Sequence, residues 1–262
     1  MVFAPLESFP SGIRFSLHQA EGRSGGQLSV EGDPPVDFQN IVSVCLDGYS
    51  IVAGGEGLSE EDQQYRNTES WAALVALFRC LSQNGCLVAN HVVERDHFHS
   101  RLSELYLLHS YGLPVPRTLV SSDAAQVRAF VEQVKNVIYR PVMGKDLPFR
   151  PLLPEDIARL DEVGLAPVHF EESSPGTLVG CLRVGSHTFI SPRDADVPKD
   201  LQAGFAQLSD DLGLHLAEMR LRFEPDQGWL AVGLHPFLTM EGMRDPEVVQ
   251  AALQMLETGV PA

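Results

Sequence analysis

Residues 101–130 read RLSELYLLHSYGLPVPRTLVSSDAAQVRAF. Leu102, Leu105 and Leu108 recur at helical spacing, and Phe98 upstream extends the pattern, which predicts a helix over 97–111. Gly112 suits the left-handed residue that ends a helix. Pro114 and Pro116 cannot continue one, because proline has no amide hydrogen and its ring clashes with the preceding turn. RTLVSS at 117–122 then reads as a strand, and Asp123 caps a second helix holding Val127, Phe130, Val131 and Val134. Helix, stop, strand, cap and helix thus follow each other with little slack.

Downstream, VIYRPV at 137–142 reads as a strand and 154–163 as a short helix opened by Pro-Glu-Asp. TLVGCLRVG at 177–185 and HTFIS at 187–191 form a hairpin about Gly185 and Ser186. A helix at 199–213 carries Leu201, Phe205, Leu208 and Leu212. AEMRLRFE at 217–224 and GWLAVGL at 228–234 form another hairpin, and a last helix spans 246–257. Upstream, IVSVCL at 41–46 and YSIVA at 49–53 are strands on either side of Asp47-Gly48, and 54–68 reads as a polar loop. Trp71, Leu74, Val75, Phe78 and Leu81 mark a helix that Thr68 or Ser70 could cap and that Asn84-Gly85 stops. Residues 1–40, rich in Gly, Ser and Pro, are poor in pattern and are expected as a hairpin or an irregular arm. Hairpins mixed with single helices make this an α+β order.

The chain has 262 residues, a net charge of -16 and 44% hydrophobic residues, enough for a sizeable core. The acidic balance argues against a nucleic-acid backbone or an anionic membrane surface as partner. No apolar stretch reaches the ~18 residues of a membrane span, and no basic-then-apolar export signal opens the chain, so a cytoplasmic protein is expected. Cys45, Cys80, Cys86 and Cys181 lack metal or disulfide-framework spacing and read as reduced thiols. Glu94, Asp96, His97 and His99 invite a metal reading. H-x-H puts both rings on one face only in a strand, however, and this stretch opens a helix. Nucleophile elbows, Walker loops and G-x-G-x-x-G are absent from the sequence.

Taken in order, residues 84–257 resemble the ATP-grasp ligases, in the branch that joins amino acids or ring-closes peptides through an acyl phosphate. The stretch at 101–130 is similar to that family's helix, Gly-Leu-Pro-Val-Pro-x-Thr, strand and capped helix. VIYRPVMGKD at 137–146 resembles its strand and mobile phosphate loop. The hairpin ending Arg183-Val184-Gly185, the helix and paired strands after it, and GLHPFLTMEGM at 233–243 resemble its closing segments. The resemblance implies an α+β ATP-grasp-like fold: two lobes of antiparallel sheet with flanking helices, at about 115–175 and 176–262, within a domain at 91–262. A small α/β domain at 41–90 would precede it.

The same resemblance implies site residues. Arg101 and Arg140 stand where the family has phosphate-binding lysines, with Lys145 as a third cation and Glu171 or Glu172 facing the adenine. The guanidinium keeps the charge but not the shape of an ammonium. Magnesium wants oxygen ligands, yet the family's acidic positions read Arg220, Gly233 and His235 here, and its arginine before the turn reads Gly180. An arginine 4 Å from a divalent ion would repel it by roughly 8 kcal/mol at an effective dielectric near 20. Glu218, on the face of Arg220, and Glu241 are the substitute carboxylates. Plainer readings stand beside these. Arg101 could be a salt-bridge residue, Arg220 could pair with Glu218 or Glu224, His235 could be structural, and Glu171-Glu172 an acidic loop. The expectation is an ATP-grasp-like protein that has lost magnesium- and ATP-dependent ligation. It would have no catalytic residue and no cofactor, and would act as a binding or assembly subunit for a peptide or protein, with self-association left open. The alternative is an active ATP-dependent carboxylate-amine ligase, using ATP and magnesium, with a rearranged metal shell.

Overall fold

The computed structural model describes residues 12–20, 23–45, 57–90, 100–134, 136–142, 148–173, 176–239 and 242–260. The chain divides into two compact units, Met1–Glu94 with Val249–Ala262, and Arg95–Val248.

In the first unit, β1 (Ile13–Ala20) and β2 (Arg23–Val30) form an antiparallel hairpin to which β3 (Val36–Asp37) adds. Of the two readings of this stretch, irregular arm or hairpin, the hairpin is the one that forms, and β3 extends it to three strands. Its glycines allow close packing rather than looseness: a Cβ on Gly26 would lie 1.9 Å from the Ser16 carbonyl oxygen and 2.6 Å from the Phe38 ring. After β4 (Ser43–Cys45), the strand expected at 49–53 lies outside the described residues. The polar stretch expected as a loop turns out to be helical from residue 60. In α1 (Glu60–Gln83) the Ser59 hydroxyl accepts the Asp62 amide, and Glu60, Glu61 and Asp62 sit where the helix dipole favours anions. Ser59, not Thr68 or Ser70, is the cap. Thr68 bonds back to the Gln64 carbonyl inside the helix, and Ser70 is buried. The helix ends at Asn84 and Gly85, whose φ of 85° needs glycine. β5 (Leu87–Ala89) then pairs in parallel with β4. Leu74, Leu77, Phe78 and Leu81 pack with Ile13 and Phe38.

In the second unit, α2 (Arg101–Ser110) is capped by Ser100, whose hydroxyl accepts the Ser103 amide. Gly112 follows at φ 73°. β6 (Thr118–Ser121) leads to α3 (Ala124–Gln133), capped by the Asp123 carboxylate on the Ala125 amide. β7 (Val137–Pro141), β8 (Arg150–Pro151), the short α4 (Pro154–Ala158) and β9 (Val168–Glu172) follow. The helix expected to run to 163 changes to 3-10 geometry at Leu160–Leu165. These strands make an antiparallel sheet in the order β6-β9-β7-β8. Val127, Val137, Leu160 and Phe170 form its core.

β10 (Leu178–Val184) and β11 (His187–Ser191) come next, then α5 (Lys199–Asp211), and β12 (Leu216–Glu224) with β13 (Gly228–His235). They give a second antiparallel sheet, β11-β10-β12-β13. Cys181, Met219, Leu221 and Leu234 of this sheet pack against Leu105 and Leu108 of α2 and Phe205 and Leu208 of α5. The architecture is α+β, with two antiparallel sheets and flanking helices. The last helix, α6 (Pro246–Thr258), passes into the first unit at Val249, and there the Ser43 hydroxyl donates to the Leu256 carbonyl at 2.6 Å. The second compact unit therefore ends at 248 rather than 262, because the helix closing the chain packs with its beginning. No helix among the described residues is long and apolar enough to cross a membrane.

Candidate functional site

The first turn of α2 brings Arg101 and Glu104 to one helix face, three residues apart. Both are buried, and so is Glu171 near the end of β9. Arg101 Nε donates to Glu171 Oε2 at 3.0 Å and Nη2 to Oε1 at 3.1 Å, a bidentate fork, while Nη1 donates to Glu104 Oε1 at 2.8 Å. That same Glu104 oxygen accepts the Leu234 amide of β13 at 2.6 Å. His169 lies on the same face of β9, with Nε2 3.4 Å from Glu171 Oε2. Burial by itself would raise the Glu171 carboxyl, but the hydrogen bond to His169 and the Arg101 charge hold it below its ordinary value. Arg101 and Glu171, both expected at a nucleotide, thus face each other.

Across the β7–β9 ladder Arg140 pairs with His169. Its guanidinium carbon lies 4.3 Å from the centroid of the Phe149 ring, a cation–π contact, and that ring meets His169 edge-on at 5.6 Å. Glu172 is bound by Arg117 through Nε at 2.6 Å and Nη2 at 2.8 Å, and by Gln227 Nε2 at 3.3 Å. Lys145, Glu241 and the Glu94, Asp96, His97, His99 group lie outside the described residues.

On the second sheet Arg220 stands opposite Gly180 on β10 and Gly233 on β13, and Glu218 stands opposite His235. A Cβ on Gly233 would lie 3.5 Å from Arg220 Cβ and 3.9 Å from His235 Nε2, so positions 220, 233 and 235 lie together. Both oxygens of the buried Glu218 are engaged. Oε1 takes Arg220 Nε at 3.3 Å, and Oε2 takes the Thr239 amide at 3.0 Å and its hydroxyl at 2.6 Å. The adjoining cleft, lined by Gly180, Ser191, Glu218, Arg220 and Gly242, has only about 20 Å³ of room for solvent. A magnesium ion does not fit the residues described here. The buried carboxylate lining this cleft, Glu218, carries a guanidinium, the facing positions 180, 233 and 235 offer no oxygen side chain, and no group of three His, Cys, Asp or Glu among the described residues could hold a metal. The Arg101 guanidinium, for its part, is paired with two buried carboxylates, Glu171 and Glu104.

Sequence reading named one end of most of these contacts and missed the other: Glu104, Arg117, His169, Gln227 and Thr239. Glu104 was detectable as the i+3 neighbour of Arg101, and His169 as the i−2 neighbour of Glu171 on a strand. Arg117 and Thr239 left no local signal, because each reaches its carboxylate across the fold, and nor did the contact of Gln227 with Glu172, 55 residues away.

No protein-family profile matches the chain, and no curated protein matches it by sequence. Solved structures match it well. The macrocyclase MdnC from Microcystis aeruginosa MRC, bound with precursor peptide MdnA, superposes with a TM-score of 0.79 at 17% identity, over 96% of this chain and 89% of that one. A RiPP-associated ATP-grasp ligase from Chryseobacterium gregarium, in complex with ADP and a leader and core peptide, does so at 0.79 and 11% identity, over 98% and 88%. The ATP-grasp ligase PsnB, complexed with minimal precursor, magnesium and ADP, does so at 0.74 and 19% identity, over 97% and 88%. The chain therefore shares the fold of these ATP-grasp ligases.

Proposed function

We propose that this protein is an ATP-grasp-like binding or assembly subunit that has lost magnesium- and ATP-dependent ligation and takes a peptide or protein partner in the cytoplasm. One observation carries the reading: Arg220 bonds the buried Glu218 on β12, where a metal would need its oxygens free. A guanidinium there supplies the positive charge that an ion would otherwise bring, and Thr239 saturates the other oxygen. The nucleotide side agrees, since Arg101 and Glu171 neutralise one another. The peptide partner is supported by neighbours of the same fold that were solved with precursor peptides. Free thiols at Cys45, Cys80, Cys86 and Cys181 suit a reducing compartment.

The ligase reading has one observation in its favour. The fold is kept over nearly the whole length of neighbours complexed with magnesium and ADP. Calorimetric titration with ATP and magnesium separates the two. The binding-subunit reading expects no magnesium-dependent heat. Micromolar, magnesium-dependent binding would overturn it, and turnover lost in Arg140→Ala would then place the active site.

A further inference from the structure

We infer that Gln227 is a latch between the two sheets of the second unit. It lies in the turn joining β12 to β13, exposed to solvent. Its side-chain amide donates to Glu172 Oε2 at 3.3 Å and to Glu224 Oε2 at 3.2 Å. Glu172 ends β9 in one sheet and Glu224 ends β12 in the other, and both are buried. Two buried carboxylates held this close repel each other. A neutral amide with two N–H groups can satisfy both at once, which neither a carboxylate nor a hydroxyl in that place could do.

Each carboxylate has its own guanidinium behind it. Arg117 forks onto Glu172, and Arg222 reaches Glu224 Oε1 through Nε at 3.0 Å and Nη2 at 2.7 Å. The series Arg117, Glu172, Gln227, Glu224, Arg222 therefore crosses from one sheet to the other with alternating charge about a neutral centre. A second crossing runs from Glu171 through Arg101 and Glu104 to the Leu234 amide. Neighbouring residues of a strand project to opposite faces, so Glu171 and Glu172 hold the end of β9 from both sides. The Arg101 crossing is buried and costly to break. The Gln227 crossing is the one that solvent reaches, so it is where the sheets part first. This inference concerns the protein alone and does not depend on whether nucleotide binds.

The test is hydrogen exchange of the full chain, read by mass spectrometry. In Gln227→Ala, the amides of 168–172 on β9 should exchange roughly tenfold faster than in wild type, the effect of losing hydrogen bonds to charged acceptors. Gln227→Glu, which puts a third carboxylate between the two, should exchange faster still. Gln227 is exposed, so neither change opens a void, and circular dichroism will verify the fold. Faster exchange confined to 224–228, with β9 unchanged, would overturn the latch. So would wild-type exchange on β9 in Gln227→Glu.

Discussion

Arg101 meets Glu171 edge to edge, with Nε 3.0 Å from Oε2 and Nη2 3.1 Å from Oε1. Both side chains are about 95% buried. An ion pair of this kind gains little over an apolar pair of the same volume, yet removing one partner strands a charge in a medium that cannot solvate it. The contact therefore makes the position intolerant of change without requiring a ligand.

Arg101→Met should lower the unfolding free energy by about 3–5 kcal/mol, measured by urea denaturation. Adding Glu171→Gln should recover part of that loss, because the stranded charge is gone. Were Arg101 chiefly a phosphate cation, the single change would weaken nucleotide binding and leave stability near wild type.

Acid should reveal the same pair. The Glu171 carboxyl is held below its ordinary 4.5 in the folded protein, so the unfolded chain binds its proton first as pH falls. Its contribution is fully present above that ordinary value and is lost as pH drops through the lower folded one. The stability difference between wild type and Glu171→Gln should then be constant above pH ~5 and shrink below ~4.5. A gap that stays constant through that range would contradict the assignment.

Gly26→Ala should destabilise the first unit by about 1–3 kcal/mol or more, the cost of overpacking. The new Cβ would meet a backbone oxygen at 1.9 Å, which no rotamer change can relieve. Gly32→Ala probes a glycine with open space around it and a φ of 90°, so it should show only the smaller strain of the left-handed region. Thermal melts of the two variants side by side will tell steric overlap from backbone strain.

Placing oxygens at 220, 233 and 235 should create metal affinity. In Arg220→Asp, Gly233→Glu, His235→Asn the guanidinium leaves Glu218 and three oxygen-bearing side chains converge on one point of β12 and β13. Magnesium should raise the melting temperature of this triple variant and leave wild type unchanged. A folded triple variant indifferent to magnesium would mean that these positions do not converge as ligands.

Much of the architecture was legible because it is local. Alternation and capping mark β6, α3, β10 and β11 within a few residues, and glycines at 112, 185 and 228 mark turns that need positive φ. Local pattern was a weaker guide where segments are polar or rich in glycine. The first turns of α1 are polar because they face solvent, and in β2 the His18 ring packs on Gly25 while the Phe38 ring packs on Gly26. Of the site, Arg220 and Glu218 were foreseen as neighbours on one strand face, and they bond. The Arg101–Glu171 pair was not foreseen, although each residue was named.

By itself, the sequence determined the order of elements, the α+β class and the residue types Arg, Gly and His at 220, 233 and 235, since these depend on residue type and short spacing. Only the tertiary structure decided which charges meet. Arg101 and Glu171 are 70 residues apart, and Glu172 and Gln227 are 55 apart. Charge attraction and hydrogen bonding act over a few ångströms of space, and chain folding alone sets which distant residues come within that range.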